Sequence, residues 1–388
     1  MTRLIVAAGG GGDAVAAAML HAAVHGDGDE DPAVILTYAW DRMPIDPVPG
    51  PRGAHDFTGL ERFTPAVWAV PPGARPIPPA GSTLPRLAAE LPHTVVLLDP
   101  HHGVEGVTRQ VEELVERLAP ESVDVLDVGG DILARGDEPG LRSPLADAVT
   151  LAACCQVNAS VRLLVAGPGL DGELSADEVR GVLGPVVHTF VPRDVEPVEP
   201  VLEWHPSEAA GMLAAAARGV RGACGARHAG LPVPLTDESP KVYEVDPEEA
   251  LRRNRLARAV MTTATLDEVE AHSRAVCGHS EIDDERGEAT GAEKRAVAGQ
   301  PLVRQAVAGQ VRAEQPRIAL DPRAVGPVLD RFEEEAAARG VSHTTFGHLT
   351  EALGLDGSRR EELRRLLIGR RPEQYDAPLW RIAHVPGA

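Results

Sequence analysis

The chain has 388 residues, 43% of them hydrophobic, enough for one large core plus an appended smaller unit. A formal net charge of −20 argues against nucleic acid and against an anionic membrane surface, because both partners need a basic face. Of 38 basic residues only Lys241 and Lys294 are lysines; the arginine excess accompanies abundant Ala, Gly and Pro and reads as coding bias, not as phosphate contacts.

Arg3–Ala8 is a short apolar run, Gly9–Gly12 a bare glycine loop, and Asp13 opens an alanine-rich helix. This strand–loop–helix carries Gly9, Gly11 and Ala14 at the G-x-G-x-x-G/A spacing of dinucleotide-binding turns. Asp13 and the glycines also interrupt the apolar stretch that a signal peptide would need. Further β-like runs follow at 33–40, 66–70, 94–98, 123–128, 161–167 and 186–191, with helical periodicity at 107–119, 144–155, 175–184 and 207–219. Val107, Val111, Leu114, Val115 and Leu118 share one helix face, and Ser175 with Glu178 makes a capping box. The Pro- and Gly-rich stretch 42–85 reads as irregular.

Near-continuous apolar strands alternating with helices predict an α/β fold: a Rossmann-like, open, mostly parallel sheet with helices on both faces. The expected organisation is a ligand-binding domain over 1–240, a helical extension packed on it over 241–284, a polar linker or mobile segment over 285–320, and a C-terminal helical module over 321–388. No run of 18 apolar residues is present, so no bilayer span is expected. The four cysteines show no C-x-x-C spacing, which points to a reducing cytoplasmic location, and the vicinal pair Cys154–Cys155 lies in an apolar helical pattern, which points to buried structural thiols.

In open parallel sheets, ligands bind beyond the carboxyl ends of the strands. Five loops qualify: Gly9–Asp13, Asp41-Arg42, Asp99–Gly103, Asp127–Asp131 and Gly167–Glu173. Each carries a carboxylate, and so many acids converging would be costly without a cation. Asp131, Asp171 and Glu173 are therefore candidate ligands for Mg2+ or Mn2+. Asp127 and Asp131 are candidate catalytic groups, with His101 and His102 as a general base or further ligands. Gly9, Gly10, Gly11, Gly12, Gly129, Gly130, Gly167 and Gly169 would let a nucleotide of the ATP or NAD type approach the backbone, with Asp41 on its ribose. Asp13 complicates this picture, since a carboxylate at a helix N-terminus repels phosphate. It either caps the helix, acts through a metal, or faces an amine or hydroxyl of the ligand. Each loop also has a plain reading as a tight or capped turn. No G-x-S-x-G elbow, P-loop or H-E-x-x-H occurs.

The segments GGGGDAVAAA, DVGGDILARGDEPGLRSPLADA and GPGLDGEL resemble an uncharacterised archaeal and actinobacterial family, domain of unknown function 1152, over roughly residues 1–285. The resemblance implies no established activity. It marks Gly9–Asp13, Asp127–Asp131, Glu138, Ser143, Asp147 and Gly167–Glu173 as motif positions, and the C-terminal helices resemble an extension of the actinobacterial members. The leading expectation is a cytoplasmic enzyme performing metal-assisted hydrolysis or group transfer on a phosphate- or nucleotide-bearing small molecule. The alternatives are a metal-independent NAD-type transferase or dehydrogenase, and a non-catalytic small-molecule sensor or assembly protein. A homo-oligomer or a protein partner engaged through the C-terminal helices is compatible with all three.

Overall fold

The N-terminal apolar run forms strand β1 (Leu4–Gly10), which sends Ile5 and Ala7 into one core and Leu4, Val6 and Ala8 into another. A strand covered on both faces needs apolar residues at every position, hence the absence of polar alternation. The computed structural model describes residues 3–25, 32–227, 229–297, 320 and 322–383. Strands β2 (Val34–Tyr38), β3 (Glu61–Arg62), β4 (Trp68–Ala69), β5 (Thr94–Leu98), β6 (Val123–Val128), β7 (Val161–Ala166) and β8 (Val186–Thr189) follow. After a hairpin of β9 (Gly222–Gly225) and β10 (Val233–Leu235) comes β11 (Lys241–Val245).

Nine of these strands form one sheet in the order β8-β11-β7-β6-β1-β2-β5-β4-β3. Its centre, β7-β6-β1-β2-β5, is parallel, with Val6 of β1 registered between Leu36 and Val125. Antiparallel strands close both edges. From β1 the chain winds outward through β2 to β5, then returns to the other flank of β1 for β6 and β7. The order thus reverses between β1 and β6, and a crevice opens beyond their carboxyl ends.

Helices α1 (Asp13–His25), α2 (Gly103–Leu118), α3 (Pro144–Cys154) and α4 (Glu208–Ala217) cover the sheet, α1 and α4 on one face, α2 and α3 on the other. Val107, Val111 and Leu114 of α2 are buried as their spacing predicts, while Val115 and Leu118 lie at the margin of that core. Helix α3 is buried along its whole length, because α5 (Pro247–Arg253), α6 (Arg255–Val260) and α7 (Leu266–Cys277) pack around it. The helix expected over 175–184 is only Ala176–Val179; the Ser175–Glu178 capping box forms, but the chain turns away after one turn.

Helix α8 (Glu281–Val297) runs through 285–297, where the polar composition predicted a linker; the remainder of that stretch, 298–319, lies outside the described residues. What holds its first half is specific pairing: Glu285 accepts hydrogen bonds from Trp40 Nε1 (3.0 Å) and Gly50 N (2.7 Å). The C-terminal region contains α9 (Pro322–Ala338), α10 (Phe346–Ala352) and α11 (Arg360–Arg370), with its own core around Phe332, Phe346 and Trp380. It also supplies strands β12 (His343–Thr344), β13 (Tyr375–Asp376) and β14 (Leu379–Arg381), which join the β9–β10 hairpin as β10-β9-β12-β14-β13. Among the described residues no helix is long and apolar enough to cross a membrane.

Candidate functional site: a carboxylate cavity at the strand-order reversal

The glycine loop is bare because three side chains crowd it. A Cβ on Gly12 would lie 2.0 Å from Ser207 Oγ, the N-cap of α4, and one on Gly9 would meet Asp13 at 3.0 Å and Asp147 at 3.3 Å. Gly11 adds a left-handed turn at φ +60°. The Asp13 carboxylate folds back over the loop and accepts the Gly9 N–H at 2.7 Å. It therefore faces into the crevice and meets Asp127 from the end of β6 and Asp147 from the first turn of α3. One oxygen from each of these three buried carboxylates lies within 4.8 Å of the others.

Asp131 and Asp171 stand beside this triad as further lining groups of the same cavity, whose volume is about 260 Å³. The Asp171 carboxylate occupies the space a side chain at position 129 would need. A Cβ on Gly129 would lie 2.1 Å from Asp171 Oδ2, and its φ of +118° independently requires glycine. Oδ2 of Asp127, Oδ1 of Asp147 and Oδ2 of Asp171 are buried without any hydrogen-bond partner. Burial first, and mutual repulsion second, pushes Asp127, Asp131 and Asp147 well above the carboxylate range. Burial likewise brings Asp13 up to about 7 and Asp171 up to about 8. Orphaned acceptors that repel one another are what a divalent cation would neutralise, and an all-oxygen donor set suits Mg2+ or Mn2+.

Other sequence candidates sit differently. Glu173 rims the cavity, but its carboxylate accepts from Arg142 N (2.7 Å), Ser143 N (2.9 Å) and Ser143 Oγ, so it serves the entry to α3. Asp41 also lines the cavity, yet it accepts from Thr83 N (2.8 Å) and Thr83 Oγ1 (2.9 Å) and braces its own loop. Gly9, Gly10, Gly11 and Gly12 line the cavity, whereas Gly129, Gly130, Gly167 and Gly169 do not. Gly169 N donates to Gly129 O (2.7 Å), so these glycines zip two loops together. His101 and His102 are absent from the lining. They follow β5, two strands from β1 and on the side away from β6, and the sheet order carries them off.

Arg42, from the Asp41-Arg42 loop, and Arg142, from the long middle motif, line the cavity together with Arg227. Arg227, Glu281 and His205 carried no signal in the sequence as site groups. Glu281 comes from the start of α8, where burial raises it to about 8. His205 is buried; desolvation and then Arg360 lower its pKa to about 3, so the ring is neutral. Its Nδ1 accepts from Ser207 N (3.3 Å), which assigns the proton to Nε2, an atom with no partner.

The family model described as "Protein of unknown function (DUF1152)" matches residues 4–289, the span that builds this cavity. The chain belongs to that family. No curated protein and no solved structure matches it. The match ends inside α8, so α9 to α11 and the strands they bring lie beyond the family region.

Proposed function

We propose that this chain is a cytoplasmic, Rossmann-like enzyme that holds Mg2+ or Mn2+ on Asp13, Asp127 and Asp147. Its reaction is hydrolysis or group transfer on a phosphate-bearing small molecule, a nucleotide among them. The observation that carries this reading is the buried triad, with oxygens inside 4.8 Å and acceptors lacking partners. Three buried charges arranged in this way cost stability, and a cation is the economical reason for keeping them. The bound metal would polarise the phosphoryl oxygen and acidify an attacking water. A bound cation would draw the protons off Asp131 and Asp171, which line the same cavity, and either carboxylate would then take up the proton of that water. Arg42, Arg142 and Arg227 supply counter-charge for the anionic part of the ligand.

The metal-independent dinucleotide reading is weaker. Asp41 is engaged by Thr83, and Asp13 covers the amide of Gly9 that a pyrophosphate would use. The discriminating experiment is a thermal-shift panel of ATP, ADP, NAD and sugar phosphates, each with Mn2+, Mg2+ or EDTA, followed by phosphate-release assays on the stabilising compounds. Stabilisation that EDTA removes, that Asp147→Asn loses, and that accompanies turnover is the expected result. Stabilisation by NAD that survives EDTA, or binding without turnover, would overturn it.

A further inference from the structure

A second cluster lies at the end of β5, outside the lining of the acidic cavity, and takes up one of the histidines absent from that lining. Asp99 and His101 follow β5, and His55 sits in the one-turn helix Ala54–Asp56 of a separate loop. Asp99 ties the two segments together. Its Oδ2 accepts from Ala54 N (2.8 Å), and its Oδ1 accepts from His101 N (3.1 Å) and lies 2.8 Å from His101 Nδ1. Gly53 makes this approach possible, since a Cβ there would stand 2.6 Å from His101 Nδ1 and 2.7 Å from Asp99 Oδ2. Downstream, Gly103 at φ +58° turns the loop back so that its N–H reaches Pro100 O (2.9 Å). The His55 and His101 rings meet edge to face with centroids 4.8 Å apart. One ligand-type atom from each of His55, Asp99 and His101 falls within 4.8 Å of the others.

We propose that His55, Asp99 and His101 form a zinc site, independent of the carboxylate cavity. Two imidazoles and one carboxylate make a borderline-soft donor set that favours Zn2+ over Mg2+. Zinc–ligand bonds of about 2.0–2.1 Å place ligand atoms roughly 3.3 Å apart in a tetrahedron. His101 Nδ1 and Asp99 Oδ1, now hydrogen-bonded at 2.8 Å, would part by a few tenths of an ångström to take the metal in place of the shared proton, and His55, exposed and 3.5 Å from Asp56 Oδ2 through its Nε2, has the freedom to close. Three protein ligands leave a fourth position, and the adjoining cavity of about 440 Å³ is lined by His55, His101, Arg52, Asp56, Glu270 and Arg286. That position is therefore available to water. The site is of the open kind, unlike a closed four-ligand structural zinc.

The test uses the full chain, stripped with chelator and titrated with Zn2+ against a chromophoric competitor, with millimolar Mg2+ present to occupy the acidic cavity. One equivalent of Zn2+ should bind, and Co2+ should give visible ligand-field absorption. Loss of one ligand in His101→Ala or His55→Ala should weaken Zn2+ binding on the order of tenfold to a hundredfold, while Asp147→Asn leaves it unchanged. His55 lies on the surface, so its variants should fold; His55→Cys should restore affinity and add a thiolate-to-cobalt charge-transfer band. Unchanged Zn2+ affinity in both histidine-to-alanine variants would overturn the proposal, as would loss of binding in Asp147→Asn alone. Because Mn2+ binding in the carboxylate cavity is read separately, failure of either site leaves the other standing.

Discussion

Asp127 and Asp147 each bury an oxygen that bonds to nothing. Selection for stability alone would replace such groups, since an unpaired buried acceptor costs about 1–3 kcal/mol and mutual charge repulsion adds to it. Asp127→Asn and Asp147→Asn should therefore raise the melting temperature of the metal-free protein while abolishing stabilisation by Mn2+. Calorimetry of both variants in EDTA and in Mn2+ checks this; a fall in the metal-free midpoint would mean that these carboxylates are structural. Gly129 offers the opposite control. Its alanine variant must displace Asp171 and hold a side chain at φ +118°, so a loss of about 1–3 kcal/mol is expected with or without metal.

At the scale of elements, helix α8 shows how a polar segment becomes part of a site. Glu285 accepts from Trp40 Nε1 and Gly50 N, and pairs with Arg42 Nε at 3.3 Å. Through these contacts the helix fixes one of the arginines on the cavity rim. Glu285→Ala should lower stability by about 1–3 kcal/mol. It should also weaken the phosphate-bearing ligand more than it weakens Mn2+, as paired titrations would show. Local pattern could not reveal this helix, because its order comes from partners more than 200 residues away. The strand–loop–helix at the N-terminus was legible for the opposite reason: strand, glycines and cap are contiguous, and a doubly buried strand has an unmistakable apolar run. The acids at strand ends were legible too, since the carboxyl-end rule places them without knowledge of the packing. Asp147 is marked only by its place in the family motif, and its role shows when α3 docks beside β1; His205 reads as part of a loop until α4 packs on Gly12. Strands β12 to β14 are too short, at two or three residues, to show any period. The same rule misplaced His101 and His102, because it selects an edge of the sheet and says nothing about distance along that edge.

Across the whole molecule, the cavity should set the pH profile of stability. Asp13 at about 7, Asp171 and Glu281 at about 8, and Asp127, Asp131 and Asp147, pushed well above the carboxylate range, all have folded-state values above those of the unfolded chain. From about pH 4 upward the unfolded chain gives up these protons first, so the native state binds more. The slope is then negative: each such group removes stability as the pH rises, until the pH passes its folded-state value. His93 at about 4 and His205 at about 3 act in the other direction. Held neutral by desolvation, they favour the unfolded state as the pH falls below about 6.5. Six carboxyl groups outweigh two imidazoles from about pH 4 upward, so without metal the melting temperature should be highest near pH 4 and fall towards pH 8. Metal binding must displace the same protons, so the extra stability conferred by Mn2+ should grow from pH 6 to pH 8. Melting curves at half-unit steps, in EDTA and in Mn2+, would display two profiles diverging with pH. Parallel profiles would mean that the buried carboxyl groups of this cavity do not hold the cation.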